Sequence, residues 1–253
     1  MTQNEKARQF SALHVKGNPL QLFNAWDAGS AKAIAAAGAP AIATSSWAVA
    51  AALGYRDGED LPLPLALETI GRVAAAVEIP VSADFEGGYS DDDATLAENV
   101  ARLLDTGIVG INFEDRIVKG SGLYSRERQA ERIAAIRKAA DRRGVDLFIN
   151  ARTDLFFEHF KDAENFVDEA VDRARAYAEA GASSLFVPGL VDDRLIERVV
   201  KGSVLPVNVM VMDGVSTPDR LAALGVARIS FGNIPYVEAM GALGAAAKQV
   251  YSS

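Results

Sequence analysis

Three acidic clusters punctuate the chain: Asp84-Phe85-Glu86, Glu114-Asp115, and Asp154 beside Arg152. Each closes a short apolar run and opens a polar stretch, in VSADFEGGYS, GINFEDR and LFINARTD. If Asp84 and Glu86 lie on a strand, both carboxylates point to one side and Phe85 faces away. Carboxylates aimed together need a partner. An all-oxygen set suits a hard cation such as Mg²⁺, which keeps several of its waters. Capping of the following helices would explain any single cluster, but three clusters at the ends of three successive strands favour a site. Arg152, set among these acids, can fork onto a carboxylate or a developing negative charge, or serve the acids as counter-ion.

Composition narrows the chemistry further. The 253 residues contain no cysteine, which excludes disulfides, thiolate zinc sites and cysteine catalysis. Only His14 and His159 are histidines, so a multi-histidine metal site is excluded as well. The net charge of −8 argues against nucleic acid or anionic membranes as partners. The longest apolar stretch, residues 33–43, is interrupted by Gly38 and Pro40 and is too short to span a bilayer. The opening MTQNEKARQF has no apolar core, so no secretory signal is expected and the protein is expected in the cytoplasm. Catalysis would fall to carboxylates, Arg, Tyr, Ser and a metal, here Mg²⁺ or Mn²⁺ because every candidate ligand is oxygen.

The elements that must hold these residues are legible as an alternation. Strand-like runs fall at 20–27, 41–47, 81–86, 110–115, 147–154, 184–189, 205–211 and 227–232, with helix-like segments rich in Ala, Glu, Arg and Leu between them. Gly107, Gly144 and Gly181 stand where helix C-caps want glycine. The runs are apolar rather than alternating, as in a parallel sheet buried on both faces. Eight such units without a linker predict one (β/α)₈ TIM barrel domain over residues 1–253, with an extra N-terminal helix on its floor; an open doubly wound sheet is the alternative. Function in such a barrel gathers at the C-terminal strand ends, where the acidic clusters lie. The arginines from Arg126 to Arg143 are interleaved with acids and read as a solvated helix face.

The strand ends resemble the phosphoenolpyruvate mutase/isocitrate lyase superfamily. The likeness runs from about Phe10 to Tyr236 and rests on six segments: Asn24-Ala25-Trp26-Asp27 with Ser30-Ala31, Ser45-Ser46-Trp47, Gly54-Tyr55-Arg56-Asp57-Gly58, Asp84 to Tyr89, Asn112 to Asp115, and Asn150 to Asp154. The resemblance implies a Mg²⁺-binding barrel acting on 2-oxo or 2-hydroxy carboxylic acids through an enolate. It makes Asp84 a metal ligand, with Glu86 and Glu114 holding the ion directly or through water. Ser45, Ser46 and Trp47 match the turn whose main-chain N–H groups hold the substrate carboxylate. Arg152 would be the catalytic cation, and Asp57 and Tyr55 would act from the loop after the second strand. From its place on the seventh strand, Asn208 is expected either to meet a distal substrate group or to be buried with a backbone partner. By the same analogy the protein would be a homodimer or homotetramer, with the helix predicted over 233–251 packing on another helix, its own or a neighbour's.

The departures from the pattern set the expected activity. Val118-Lys119-Gly120-Ser121-Gly122 stands where isocitrate lyases carry a Cys- and His-bearing lid, so those activities are not expected. Lys119 matches a lysine that helps the mutases handle a phosphoryl group, yet their Asn has no counterpart. Pro188-Gly189-Leu190 replaces a Glu of several lyases. These residues predict a Mg²⁺-dependent C–C lyase or decarboxylase, with a phosphonopyruvate mutase or hydrolase and a non-catalytic 2-oxo acid binder as the alternatives. Residues 117–124 are predicted to form a mobile lid.

Overall fold

The computed structural model describes residues 1–252. Its apolar runs form nine parallel strands: β1 (Leu20–Leu22), β2 (Asn24–Ala25), β3 (Ile42–Thr44), β4 (Val81–Asp84), β5 (Gly110–Glu114), β6 (Phe148–Arg152), β7 (Ser184–Phe186), β8 (Val207–Met210) and β9 (Arg228–Ser230). The sheet order β1-β9-β8-β7-β6-β5-β4-β3-β2 brings its two ends onto one stretch of chain. β1 and β2 are halves of the first expected strand, parted at Phe23. β1 pairs with β9 and β2 with β3, so continuity through Phe23 closes the barrel. Asn24 bridges the gap: its Nδ2 donates to the Thr44 carbonyl at 2.8 Å, and its Oδ1 accepts from the Phe231 and Gly232 N–H groups.

Helices cover the barrel: α1 (Gln3–Ala12), α2 (Ala28–Ala36), α3 (Ser46–Ala52), α4 (Leu63–Ala75), α5 (Asp93–Leu104), α6 (Arg126–Arg142), α7 (Leu155–Glu158), α8 (Val167–Glu179), α9 (Asp193–Gly202), α10 (Pro218–Ala223) and α11 (Ile234–Tyr251). Asp27, Ser45, Asp92, Ser125, Asp192 and Thr217 each cap a helix start with a side-chain oxygen, about 1 kcal/mol apiece. Gly107, Gly144 and Gly181 take the left-handed conformation expected of C-caps. α8 begins only at Val167. A 3₁₀ stretch, Phe160–Phe166, precedes it and breaks at Asp162. No helix among the described residues is long and apolar enough to cross a membrane.

α1 seals the floor, as the barrel reading predicted. Its Ala7 and Phe10 pack on Leu20, Leu22, Val109 and Phe148, and Gln3 donates to the Leu104 and Ile108 carbonyls. His14 stacks on Phe148 at 4.1 Å with Nδ1 facing the Phe10 carbonyl. Burial, with Arg228 nearby, pushes its pKa down to about 3, so it packs as a neutral ring. The expected solvated face of α6 needs correction at Arg132 and Arg137, the latter half-buried and donating to the Gly181 and Leu147 carbonyls. Arg132 is buried, donating to the Gly87 and Ser90 carbonyls with its guanidinium over the Phe113 and Tyr124 rings.

Candidate active site

The C-terminal strand ends enclose a cavity of about 170 Å³. Ser45, Ser46 and Trp47 follow β3, Asp84 ends β4, Asn112 comes from β5 and Arg152 ends β6; Asp57 reaches in from the loop after α3. The opposite wall is Phe157, Phe186 and Met210, and Asn24, Ser230, Gly232 and Asn233 complete the ring. Asp84 is held from two sides. Its Oδ2 accepts from the Ser46 backbone N–H (3.0 Å) and hydroxyl (2.7 Å), and its Oδ1 from Asn112 Nδ2 (3.3 Å). The Ser46 hydroxyl also lies 3.4 Å from Asp57 Oδ1, between the two acids.

Arg152 is committed to acids before any ligand arrives. Nε and Nη2 donate to the two Asp154 oxygens at 2.6 and 3.0 Å, and Nη1 lies 3.1 Å from Glu114 Oε2. Those contacts use three of its five N–H donors. Burial works against its charge, but Glu114 and Asp154 outweigh that and hold its pKa well above the ordinary value. The other cluster acid, Asp115, turns away: it pairs with Arg173 and Tyr177 and accepts from the Asp154 N–H, which makes it a fixed support of the strand ends.

Three acids lack a cation. Among the described residues, Asp57, Asp84 and Glu86 form no ion pair. Burial and then the charges of Asp57 and Asp84 push Glu86 up to about 8. Burial and Asp84 raise Asp57, and burial raises Glu114 despite Arg152. This uncompensated negative charge, presented only through oxygen, fits a hard divalent ion. No three acids among the described residues stand close enough to enclose one by themselves. Asp84 and Asp57, which line the cavity, are the oxygen donors such an ion would meet there.

The architecture and the site can be matched to known proteins. The model of the phosphoenolpyruvate phosphomutase family matches residues 10–251. The chain belongs to that family. A Burkholderia cenocepacia J2315 protein, provisionally described as a phosphonomutase, is 48% identical and superposes with a TM-score of 0.94 over 98% of this chain and 99% of its own. The 2-methylisocitrate lyase of Escherichia coli K12 is 28% identical over 265 residues, spanning 100% of this chain and 85% of the lyase. A phosphonopyruvate hydrolase crystallised with oxalate and Mg²⁺ is 25% identical, with a TM-score of 0.85 over 99% of this chain and 87% of the hydrolase.

In this phosphoenolpyruvate phosphomutase family member, six of the residues singled out from sequence line one cavity: Ser45, Ser46, Trp47, Asp57, Asp84 and Arg152. Others lie elsewhere. Strand β4 stops at Asp84, so strand alternation is not what aims Glu86. Glu86 sits in a left-handed turn (φ 48°) with Oε2 accepting from the Gly58 and Glu59 N–H groups. Glu114 is buried behind Arg152. Asn208 is fully buried and bonded to the Ser230 side chain, so it does not reach the cavity. Tyr55 packs half-buried beside Val49, Ala50, Leu61 and Ala66. Lys119 lines a neighbouring cavity, 3.9 Å from Glu59. The Ser46 N–H, expected to be free for a substrate carboxylate, is spent on Asp84. The segment expected as a lid is tied in a hairpin, with the Ile117 N–H donating to Gly122 and the Tyr124 N–H to Asp115. The lining residues Phe157, Phe186, Met210, Ser230 and Asn233 carry no acid–base signal. Asn233 is marked by its place just after the last strand, as are Phe186, Met210 and Ser230 by theirs at strand ends; Phe157, in α7, has no such mark.

Proposed function

We propose that this protein is a lyase dependent on Mg²⁺ or Mn²⁺ that breaks a C–C bond in a small 2-oxo or 2-hydroxy carboxylic acid, and that it works as a homo-oligomer. One observation carries the reading: a single cavity gathers Asp57 and Asp84, both without a cation, beside Arg152 with donors to spare. The family relatives that cleave C–C bonds, and the relative crystallised with oxalate and Mg²⁺, support it. Asp84 would hold the ion, with Asp57, Glu86 and Glu114 on its waters; bound there, the ion neutralises charge on the 2-oxo oxygen. Arg152 would turn its remaining N–H donors to the same developing charge. Asp57, its affinity for protons raised by burial and by Asp84, is placed to take a proton from the substrate. In a 2-oxo acid the bond breaks heterolytically with its electron pair left on the 2-oxo acid as an enolate, and the other fragment leaves as CO₂ or, after its hydroxyl gives up a proton, as a carbonyl compound. In a 2-hydroxy acid the 2-hydroxyl gives up its proton, C2 becomes the oxo carbon, and the electron pair leaves on the carboxylic fragment as its enolate. A solvent proton quenches the enolate.

The description of the Burkholderia relative favours a second reading, cleavage of a P–C bond. Against it, Lys119 pairs with Glu59 outside the cavity, leaving Arg152 as the one cation in the lining. Purified protein supplied with Mg²⁺ and challenged with oxaloacetate, alkylated malates and phosphonopyruvate should release pyruvate from the carbon substrates. Asp84→Ala should fold yet lose turnover. Turnover that survives EDTA would sink the metal reading.

A further inference from the structure

The mouth of the barrel is divided by chemistry. From β3 to β6 it presents hydroxyls, carboxylates, an amide and Arg152. Across the cavity, in the sector of α7, β7 and β8, it presents Phe157, Phe186 and Met210, with Trp47 at the rim. The rings pack against the one basic group as well: the Arg152 guanidinium carbon lies 5.8 Å from the Phe157 ring centre and 6.0 Å from that of Phe186. A second anionic group on a ligand would face either these apolar side chains or two carboxylates, and Arg152 is already shared by Glu114 and Asp154. Burying a charge without a partner is costly, whereas covering apolar surface is favourable. The neutral amides Asn24 and Asn233 do not alter that balance.

We infer that the Phe157–Phe186–Met210 wall is a subsite for an uncharged alkyl or aryl group, so that among acids sharing the 2-oxo head the preferred one carries an apolar distal substituent. The inference rests on the proposed head-group reading, in which the carboxylate and 2-oxo oxygen lie at Asp84 and Arg152. For the cleavage described above such a substrate carries a hydroxyl on C4; as that hydroxyl gives up its proton the C3–C4 bond breaks and the apolar fragment leaves as a neutral carbonyl compound. A cavity of about 150 Å³ accommodates one benzene-sized molecule. The space here, about 170 Å³, suits a small acid of this kind.

Binding tests it without turnover. Trp47 lines the cavity and is one of only two tryptophans, so fluorescence reports occupancy. With Mg²⁺ present, pyruvate, 4-methyl-2-oxopentanoate and 2-oxoglutarate share a head and differ in the distal group. The branched apolar acid should bind at least tenfold more tightly than 2-oxoglutarate. Met210→Arg, once shown by circular dichroism to be folded, should shrink or reverse that ratio. Equal or tighter binding of 2-oxoglutarate to the unaltered protein would overturn the subsite while leaving the head-group reading standing. A ratio unmoved in folded Met210→Arg would also overturn it. If none of the three acids binds, pyruvate included, the head-group reading fails and the subsite falls with it.

Discussion

Arg228 shows what a single residue can do when the barrel buries it. It rises from β9 into the interior with no exposed surface and no acid in hydrogen-bond contact. Its Nη2 donates to Asn112 Oδ1 at 3.1 Å, Asn150 Nδ2 donates to the same oxygen at 2.8 Å, and Asn112 Nδ2 is thereby turned towards Asp84. Nη1 is left without a partner, and burial pulls the Arg228 pKa down to about 9 against the opposing charge of Asp84. A buried charge so poorly matched is a stability cost, and replacing one with an apolar residue of similar volume is often neutral or stabilising. Arg228→Met should therefore melt no lower than the original protein. The variant loses the donor that fixes the amide supporting Asp84, and losing such outer partners costs about 10- to 100-fold in metal affinity or activity. Mn²⁺ titration beside thermal melting checks both halves. A lower melting temperature with unchanged Mn²⁺ affinity would reduce Arg228 to a packing residue.

At the scale of an element, the turn after β4 determines where the acids go. Glu86 and Tyr89 take left-handed conformations rare for residues with side chains, and Gly88 between them has φ 80°. The turn aims the Glu86 carboxylate at the Gly58 and Glu59 N–H groups while the Tyr89 N–H donates to Glu59, locking two loops together. A Cβ on Gly88 would press into Leu96 and come within 3.1 Å of Phe113. At Gly107, with φ 88°, it would meet nothing within 4 Å. Both alanine variants bear backbone strain, but only Gly88→Ala adds overpacking, about 1–3 kcal/mol. Urea unfolding should rank Gly88→Ala below Gly107→Ala by that margin, with activity lost in the former only. Equal midpoints would mean that the Leu96 side chain simply moves aside.

For the whole molecule, the ring of strands is nearly closed, whereas α11 is left largely bare. Of its 18 residues only Pro235 is buried, while Leu243 is 62% and Tyr251 86% exposed, with Val237 and Met240 also open. Exposed apolar side chains gathered along one helix are the kind of surface a second copy of the chain would cover, which supports the proposed homo-oligomer. Light scattering at micromolar concentration should give at least twice the 26.8 kDa of one chain, and Leu243→Glu should lower that mass. A 26.8 kDa particle for the unaltered protein would end the assembly proposal.

The amino-acid sequence determined the alternation of elements, the barrel it closes into and the strand ends at which Asp84, Glu114 and Arg152 emerge. These follow from local signals: apolar runs, helix periodicity and glycine at the caps. It also carried the residue types that fit a hard cation. Which of those residues share one cavity was decided only by the tertiary structure. Asn208 and Tyr55 stand in the right segments, yet burial against Ser230 and the packing beside Val49 remove them from the lining. Phe186 and Met210 carry no chemical signal until β7 and β8 bring them opposite Asp84. The break at Phe23, the left-handed turn at Glu86 and the unpartnered charge of Arg228 likewise depend on neighbours 20 to more than 200 residues away. Periodicity reads only nearest neighbours along the chain, whereas pairing, burial and desolvation are set by neighbours in space.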